Sequence, residues 1–322
     1  MNRTQLIDTL TSVQASPKRP ILTLVNGDNT WLISVPRPDN TTGKSFYHIL
    51  QDPWLSGPSD AYSRWFLRMQ LKEEGALSSF KAVEDWIQEV ETACGGTNEE
   101  DERWLDAVLV THTNTDHLHQ PTLRSLDPSI NVFAVEDAAA TISAMKHFKS
   151  ITIVPDFVRG KKWPITPEMP EWLSVFRLPD ESGVNPNLYH AIIIGMSAQD
   201  GKDEAILYTP HGVEPEMVEA ARKANPNASV LAMLHPLNEC GTLGINSRGV
   251  ANGLKIERQN SVRYWVNTHD DKLQYAGVLA YFMHYGRKTL EQGLEEEANE
   301  KGQEQRRPNY IVVGNGGSQI LA

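Results

Sequence analysis

The stretch VLVTHTNTDHLHQPTL, Val108 to Leu123, crowds three histidines and one aspartate into eight residues: His112, Asp116, His117 and His119. Imidazole and carboxylate together are the donors that zinc takes readily, with manganese and iron as further candidates. Three more histidines follow apolar runs elsewhere: His211 in ILYTPHG, His235 in LAMLHP and His269 in YWVNTHDD. Sites in α/β sheets are built from the loops at the carboxyl ends of strands. Four strand ends that each carry a histidine therefore point to one metal centre. A centre with an open position for water brings that water's pKa down to about 7 and supplies hydroxide near neutral pH.

Plainer roles compete for several of these residues. His119 reads equally as a helix cap or as a partner that orients a ligand, and Asp270 is a second candidate for orienting. His235 precedes Pro236 and can simply shape a turn. Asp52 in DPWLSGP either hydrogen-bonds a ligand or caps that turn. Trp54 and Trp65 line a pocket or fill the core. His48, His147 and His284 read as surface or satisfied core histidines, His147 within the helical segment AMKHF.

The elements that must position these residues can be read from hydrophobic period and turn chemistry. Residues 1–18 read as a short polar helix or arm. Ile21–Val25 and Trp31–Val35 read as strands joined by Asn26-Gly27-Asp28-Asn29, a hairpin signal because Asn and Gly tolerate positive φ. Phe46–Leu50 is a third strand, ended by the Pro and Gly of DPWLSGP. Phe80, Val83, Ile87 and Val90 repeat at helical spacing over Ser78–Glu91, with Ser78 or Ser79 as the cap. The acidic run Asn98–Glu102 reads as a solvated loop. Ala107–Val110 is continuously apolar, as a strand buried on both faces is.

Beyond it, strands are expected at Asn131–Val135, Ile151–Val154, Leu173–Phe176, Ala191–Ile194, Ala205–Tyr208, Val230–Leu234, Tyr264–Val266 and, closing the chain, Tyr310–Val313. Helices are expected at Asp137–Phe148, Pro215–Lys223, Gly249–Glu257 and Leu290–Ala298. Hairpins followed by alternating strands and helices make a layered α/β fold, sheets inside and helices outside.

THTNTDHLHQPTL after an apolar strand resembles the metallo-β-lactamase superfamily signature, ordinarily His-x-His-x-Asp-His. NGDNTWLIS and HILQDPWLSGP resemble the superfamily's opening strands and metal-approaching loop. ILYTPHG is similar to the segment that normally carries a metal-bridging aspartate, and YWVNTHDD to the one carrying the final histidine ligand. The likeness runs over roughly residues 20 to 285. It is nearest to a little-characterised, mostly fungal group in the ascorbate-lactonase-like branch, whose first motif is His-x-x-x-Asp-His-x-His.

The resemblance implies an αββα sandwich, one domain over residues 1–322, with a polar helical segment at 286–308. It implies His112 as a ligand of the first metal and Asp116, His117 and His269 as ligands of the second. His190, in NLYHAII, stands as the histidine between motifs. Two positions depart from the pattern. Asn114 replaces the second motif histidine, and an amide oxygen is a weak zinc ligand. His211 stands where the bridging aspartate is expected, and a neutral imidazole cannot bridge two cations. The expectation is a mononuclear or impaired dinuclear site of Asp116, His117 and His269, with His211 as a fourth ligand and Asn114 facing substrate or the metal-bound water.

The implied activity is hydrolysis of a small ester, lactone, thioester or phosphodiester by a metal-bound hydroxide, with Asp116 catalytic. The alternative is a binding or scaffold protein that keeps the fold without turnover. A net charge of −11 over 322 residues argues against nucleic acid. The pairs Lys161-Lys162 and Arg306-Arg307 are too short to reverse it. No run approaches membrane-span length. Two cysteines, Cys94 and Cys240, and an opening without a signal-peptide core suit a cytoplasmic protein acting on a small molecule.

Overall fold

The computed structural model describes residues 1–12, 18–38, 43–98, 102–197, 202–242, 245–271 and 273–322. Two large sheets face one another. The first has seven strands in the spatial order Ser318–Ile320, Ile21–Leu24, Trp31–Pro36, Phe46–Gln51, Ala107–Val110, Asn131–Ala134 and Ile151–Ile153. The second has six, ordered Tyr310–Ile311, Tyr264–Val266, Ala228–Leu234, Asp203–Tyr208, Ala191–Ser197 and Leu173–Leu178.

Side-chain alternation explains why these runs are apolar throughout. Along Ala191–Ser197, Ile192 and Ile194 join the core between the sheets, while Ala191 and Ile193 join the core under the outer helices. Ile206 and Tyr208 face inward in the same way, and Ala205 and Leu207 outward. Helices Pro215–Ala224, Gly249–Asn260 and Leu290–Lys301 supply Met217, Val218, Val250, Leu254 and Leu290 to that outer core. On the other side, helix Phe80–Ala93 buries Val83, Trp86, Ile87 and Val90. Its start is fixed by the Ser79 hydroxyl, which accepts from the Ala82 amide at 3.2 Å. The result is a four-layer αββα sandwich.

The opening hairpin pairs Leu24 with Trp31, so residues 25–30 form a loop longer than a two-residue turn. Asn26 Oδ1 organises it by accepting from the amides of Asp28 (3.0 Å) and Thr30 (3.1 Å), and Gly27 takes φ +81°. That geometry aims Asp28 inward.

The chain departs from the expected elements at particular places. The helix after Asn131–Ala134 runs Glu136–Ala144 and stops early, because Lys146 adopts φ +52°. Tyr310–Ile311 is not the closing strand: Ser318–Ile320 follows and pairs antiparallel with Ile21–Leu24. A short helix, Gln120–Ser125, follows the histidine cluster. Two three-stranded sheets were not expected: Ser59–Ala61 with Leu67–Gln70 and Gln274–Ala276, and Glu239–Thr242 with Ile245–Asn246 and Met283–Gly286. Glu99–Asp101 of the expected acidic loop, and residues 13–17 of the expected arm, lie outside the described residues. Among the described residues no helix is long and apolar enough to cross a membrane.

Candidate metal centre

His117, His211 and His269 present ligand atoms within 4.8 Å of one another. Each arrives from a strand's carboxyl end: Ala107–Val110, Asp203–Tyr208 and Tyr264–Val266. Asp116 closes the group, its Oδ2 lying 3.6 Å from His117 Nε2 and 3.5 Å from His269 Nε2. The Asn29 side-chain amide holds the Asp116 backbone carbonyl at 3.1 Å.

Buried carboxylates fix two of the imidazoles. Asp52 takes His117 Nδ1 at 2.7 Å, and Asp28 takes His269 Nδ1 at 2.8 Å. A carboxylate requires a hydrogen on Nδ1, so in the neutral ring each Nε2 is left as a lone-pair donor toward the shared point. This is the outer-shell arrangement of metal-bound histidines. Asp52 is held in turn by the Thr111 amide (2.7 Å) and hydroxyl (2.6 Å). The Asp28 carbonyl also accepts the His269 amide at 2.9 Å, which steadies His269 in a left-handed conformation at φ +57°.

The donor set also fits a cation by what it leaves unsatisfied. His117 Nε2 and His211 Nε2 are buried and have no hydrogen-bond partner. Orphaned buried polar atoms are costly unless something binds them. Burial, reinforced by His269, His117 and His190, holds the His211 pKa well below its ordinary value, so it stays neutral. Burial would lower His269 too, but the carboxylates of Asp28, Asp116 and Asp270 together outweigh it and lift the value to about 9.

Of the remaining expected site residues, His112 abuts the group, its ring 4.7 Å from that of His117 and 5.0 Å from that of His211. His112 lies outside the three-histidine group: its Nδ1 sits 2.7 Å from the Thr111 hydroxyl and its Nε2 3.3 Å from the Leu188 carbonyl. Its ring stacks on His190 at 3.9 Å, and His190 Nε2 donates to the Thr111 carbonyl at 2.9 Å. Asp52, His112 and His117 also lie close together, but Thr111 and His117 already donate to that Asp52 carboxylate.

His119 is the N-cap residue of Gln120–Ser125, yet its side chain bonds the Thr122 hydroxyl and the Pro58 carbonyl rather than the helix amides or a ligand histidine. His235 is packed under the sheet, Nδ1 to the Pro236 carbonyl (2.6 Å) and edge-on to Trp265. Asp270 shapes the loop after Tyr264–Val266 by accepting from the amides of Leu237 and Asn238, and orients no ligand through a hydrogen bond. Asn114 is exposed and lines the cleft over the centre. Asp28 was missed altogether. Its only signal was an aspartate in a strand-joining loop, and its partner lies 241 residues away. Trp54 is core, while Trp65 is exposed.

No protein-family model matches the chain, and no curated protein matches it. Solved structures do. A possible metal-dependent hydrolase from Veillonella parvula DSM 2008 is 14% identical with a TM-score of 0.57, the match covering 94% of this chain and 99% of that one. An isothiocyanate hydrolase from Delia radicum gut bacteria is 14% identical, TM-score 0.52, over 93% and 98%. CmlA, a diiron β-hydroxylase from Streptomyces venezuelae, is 12% identical, TM-score 0.56, over 95% of this chain and 55% of its own. The αββα sandwich described above is thus shared with these solved structures. At these identities the likeness carries the fold alone. Within that fold, the His/Asp cluster sits where the two sheets' strand ends meet, as a group that could hold a metal ion.

Proposed function

We propose that the protein is a metal-dependent hydrolase of a small ester, lactone or related acyl compound, working with one divalent ion held by Asp116, His117, His211 and His269. The observation that carries this is the pair of buried, partnerless Nε2 atoms on His117 and His211, with His117 and His269 each braced by a carboxylate. Three imidazoles and one carboxylate favour zinc, then manganese or iron. A second ion would need His112, position 114, His190 and a bridging carboxylate. His112 is turned to Thr111 and Leu188, residue 114 is Asn, and residue 211 is His. The first-motif spacing supports placement near the ascorbate-lactonase-like branch.

When bound, the ion supplies Lewis acidity and a more acidic water. The chain's own residues do the rest. Asp52 and Asp28 keep the two imidazoles in the donor tautomer. Asp116, whose Oδ2 faces the histidines, would use its other carboxylate oxygen to take the proton of the attacking water and return it to the leaving alkoxide. Water adds to the acyl carbon, the acyl–oxygen bond breaks, and one acid and one alcohol (or the opened hydroxy acid of a lactone) leave.

The test is a screen of aryl esters and lactones with zinc-loaded protein, followed by Asp116→Asn. The expected result is loss of roughly a hundredfold or more in kcat, the usual scale of a positioned acid–base group, with an unchanged circular-dichroism spectrum. Undiminished turnover in the folded variant would remove Asp116 from the chemistry. A metal-loaded wild type inactive on every compound would favour a binding protein on this fold.

A further inference from the structure

Carboxylates fix two of the three imidazoles at the centre, but none touches His211. Its Nε2 is buried without a partner. Among the described residues, the one side chain that hydrogen-bonds its Nδ1 is Ser247, with Oγ at 3.5 Å. Neutral imidazole carries its hydrogen on one nitrogen or the other, and the partner of Nδ1 decides which. A hydroxyl can donate or accept. The tautomer of His211 therefore turns on where the Ser247 hydrogen goes.

The small sheet beside the cleft settles the direction. Glu239–Thr242 and Ile245–Asn246 pair as a hairpin, with Gly241 opposite Asn246. One residue further on, the Ser247 amide donates to the Cys240 carbonyl at 2.8 Å, and Ser247 Oγ lies 3.3 Å from the same oxygen. A carbonyl oxygen has two lone pairs and no hydrogen, so it takes both donors and offers none. With its hydrogen on Cys240, the hydroxyl faces His211 as an acceptor. Nδ1 then carries the ring hydrogen and Nε2 the lone pair. In the opposite tautomer Nε2–H would be a buried donor without an acceptor, which is unfavourable.

Backbone contacts hold Ser247 in place. The next amide, of Arg248, donates to the His211 carbonyl at 2.9 Å. Gly212 lets the two segments meet, since a methyl on its Cα would come within 2.6 Å of Arg248 Cβ. Arg248 is anchored in turn, its guanidinium 4.4 Å over the Tyr189 ring and 3.8 Å from the Asp180 carboxylate.

We propose that Ser247 is the third brace of the centre, a positioning residue. Its hydroxyl, turned by the Cys240 carbonyl, holds His211 with the hydrogen on Nδ1 and the Nε2 lone pair toward the shared point. The brace is neutral, so it fixes the ring without burying another carboxylate beside Asp28 and Asp52. That the ring so held binds an ion rests on the metal-dependent reading above. Its tautomer in the metal-free protein does not.

Long-range proton–nitrogen correlation spectra of isotope-labelled, metal-free, full-length protein read the tautomer directly, with His211→Gln to assign the ring. Wild type should show His211 protonated on Nδ1. Ser247→Ala should leave that ring as a mixture of tautomers, and Ser247→Thr, which keeps the hydroxyl, should restore the Nδ1 form. In competition with a chromophoric chelator, Ser247→Ala should weaken zinc about 10-fold or more, the scale of a lost outer partner. Ser247→Thr should stay within a fewfold of wild type.

The wild-type spectrum needs no variant, so a misfolded Ser247→Ala would not remove the test. His211 protonated on Nε2 in wild type overturns the proposal. So does a Ser247→Ala protein that keeps both the Nδ1 tautomer and the zinc affinity. A loss that Ser247→Thr fails to recover, with both variants folded, overturns it too, because the hydroxyl would not be the acting group. A wild type with the Nδ1 tautomer but no zinc uptake overturns the metal-dependent reading and upholds the brace, so the two failures give different results.

Discussion

At the scale of single residues, the centre depends on which tautomer each imidazole adopts, and Asp28 and Asp52 decide that for two of the three. Removing such an outer carboxylate typically lowers metal affinity 10- to 100-fold. Asp28→Asn should therefore weaken zinc by about that factor in competition with a chromophoric chelator, and unchanged affinity would mean that the Asp28–His269 contact does not brace a ligand. His235, away from the centre, offers a separate check on burial. Burial holds its pKa down to about 4, against an ordinary 6.5. Between those values the unfolded chain binds a proton that the folded one refuses, so stability is present above pH 6.5 and is lost as pH falls toward 4. The slope is about 1.4 kcal/mol per pH unit from this one group. Denaturant titrations of wild type and His235→Gln over that range should show a shallower acid loss in the variant; parallel curves would contradict it.

The residue types of the cluster were legible because chemistry-bearing side chains crowded one strand end. Of the two braces, Asp52 was legible as a residue that hydrogen-bonds a ligand, as it does with His117, and Asp28 was not. Asp28 reads locally as a turn former, and nothing short of the folded loop shows that it meets His269.

At the scale of elements, the strands buried on both faces announced themselves as continuous apolar runs: Ala107–Val110 and Tyr264–Val266 were expected at the bounds they take. The strands of the small sheets were hidden, since two to four residues with polar neighbours gain their identity only from their partners, as Gln274–Ala276 does from Leu67–Gln70 far along the chain. Helix Gly249–Asn260 shows packing overriding propensity. Glycine inside a helix ordinarily costs up to about 1 kcal/mol against alanine. Here a methyl on Gly253 would collide with the Trp265 ring and crowd His235 Nδ1. Gly253→Ala should thus destabilise the fold by roughly 1–3 kcal/mol, the range for overpacking, read as a lower melting temperature. A raised melting temperature would show that the helix can shift away from the sheet at little cost.

At the scale of the molecule, the sandwich brings strand ends from both sheets to one edge, and the centre draws His117 from the first and His211 and His269 from the second. A cation there ties the two sheets together, and any ligand bound only by the folded state adds stability. Chelation by EDTA should lower the melting temperature, zinc should restore it, and His211→Ala should largely remove the difference. Because His269 carries a raised pKa of about 9 without the ion, binding must expel a proton near neutral pH. Zinc affinity should consequently weaken as pH falls. The layered architecture was legible from the alternation of elements. The number of ions was arguable only from the two substituted positions, Asn114 and His211.

The central claim, a single ion held by Asp116, His117, His211 and His269, is tested most directly by elemental analysis of protein purified without chelators. The account predicts about one atom of zinc, manganese or iron per chain, lost in His117→Ala. Two atoms per chain, or none even after reconstitution, would contradict it.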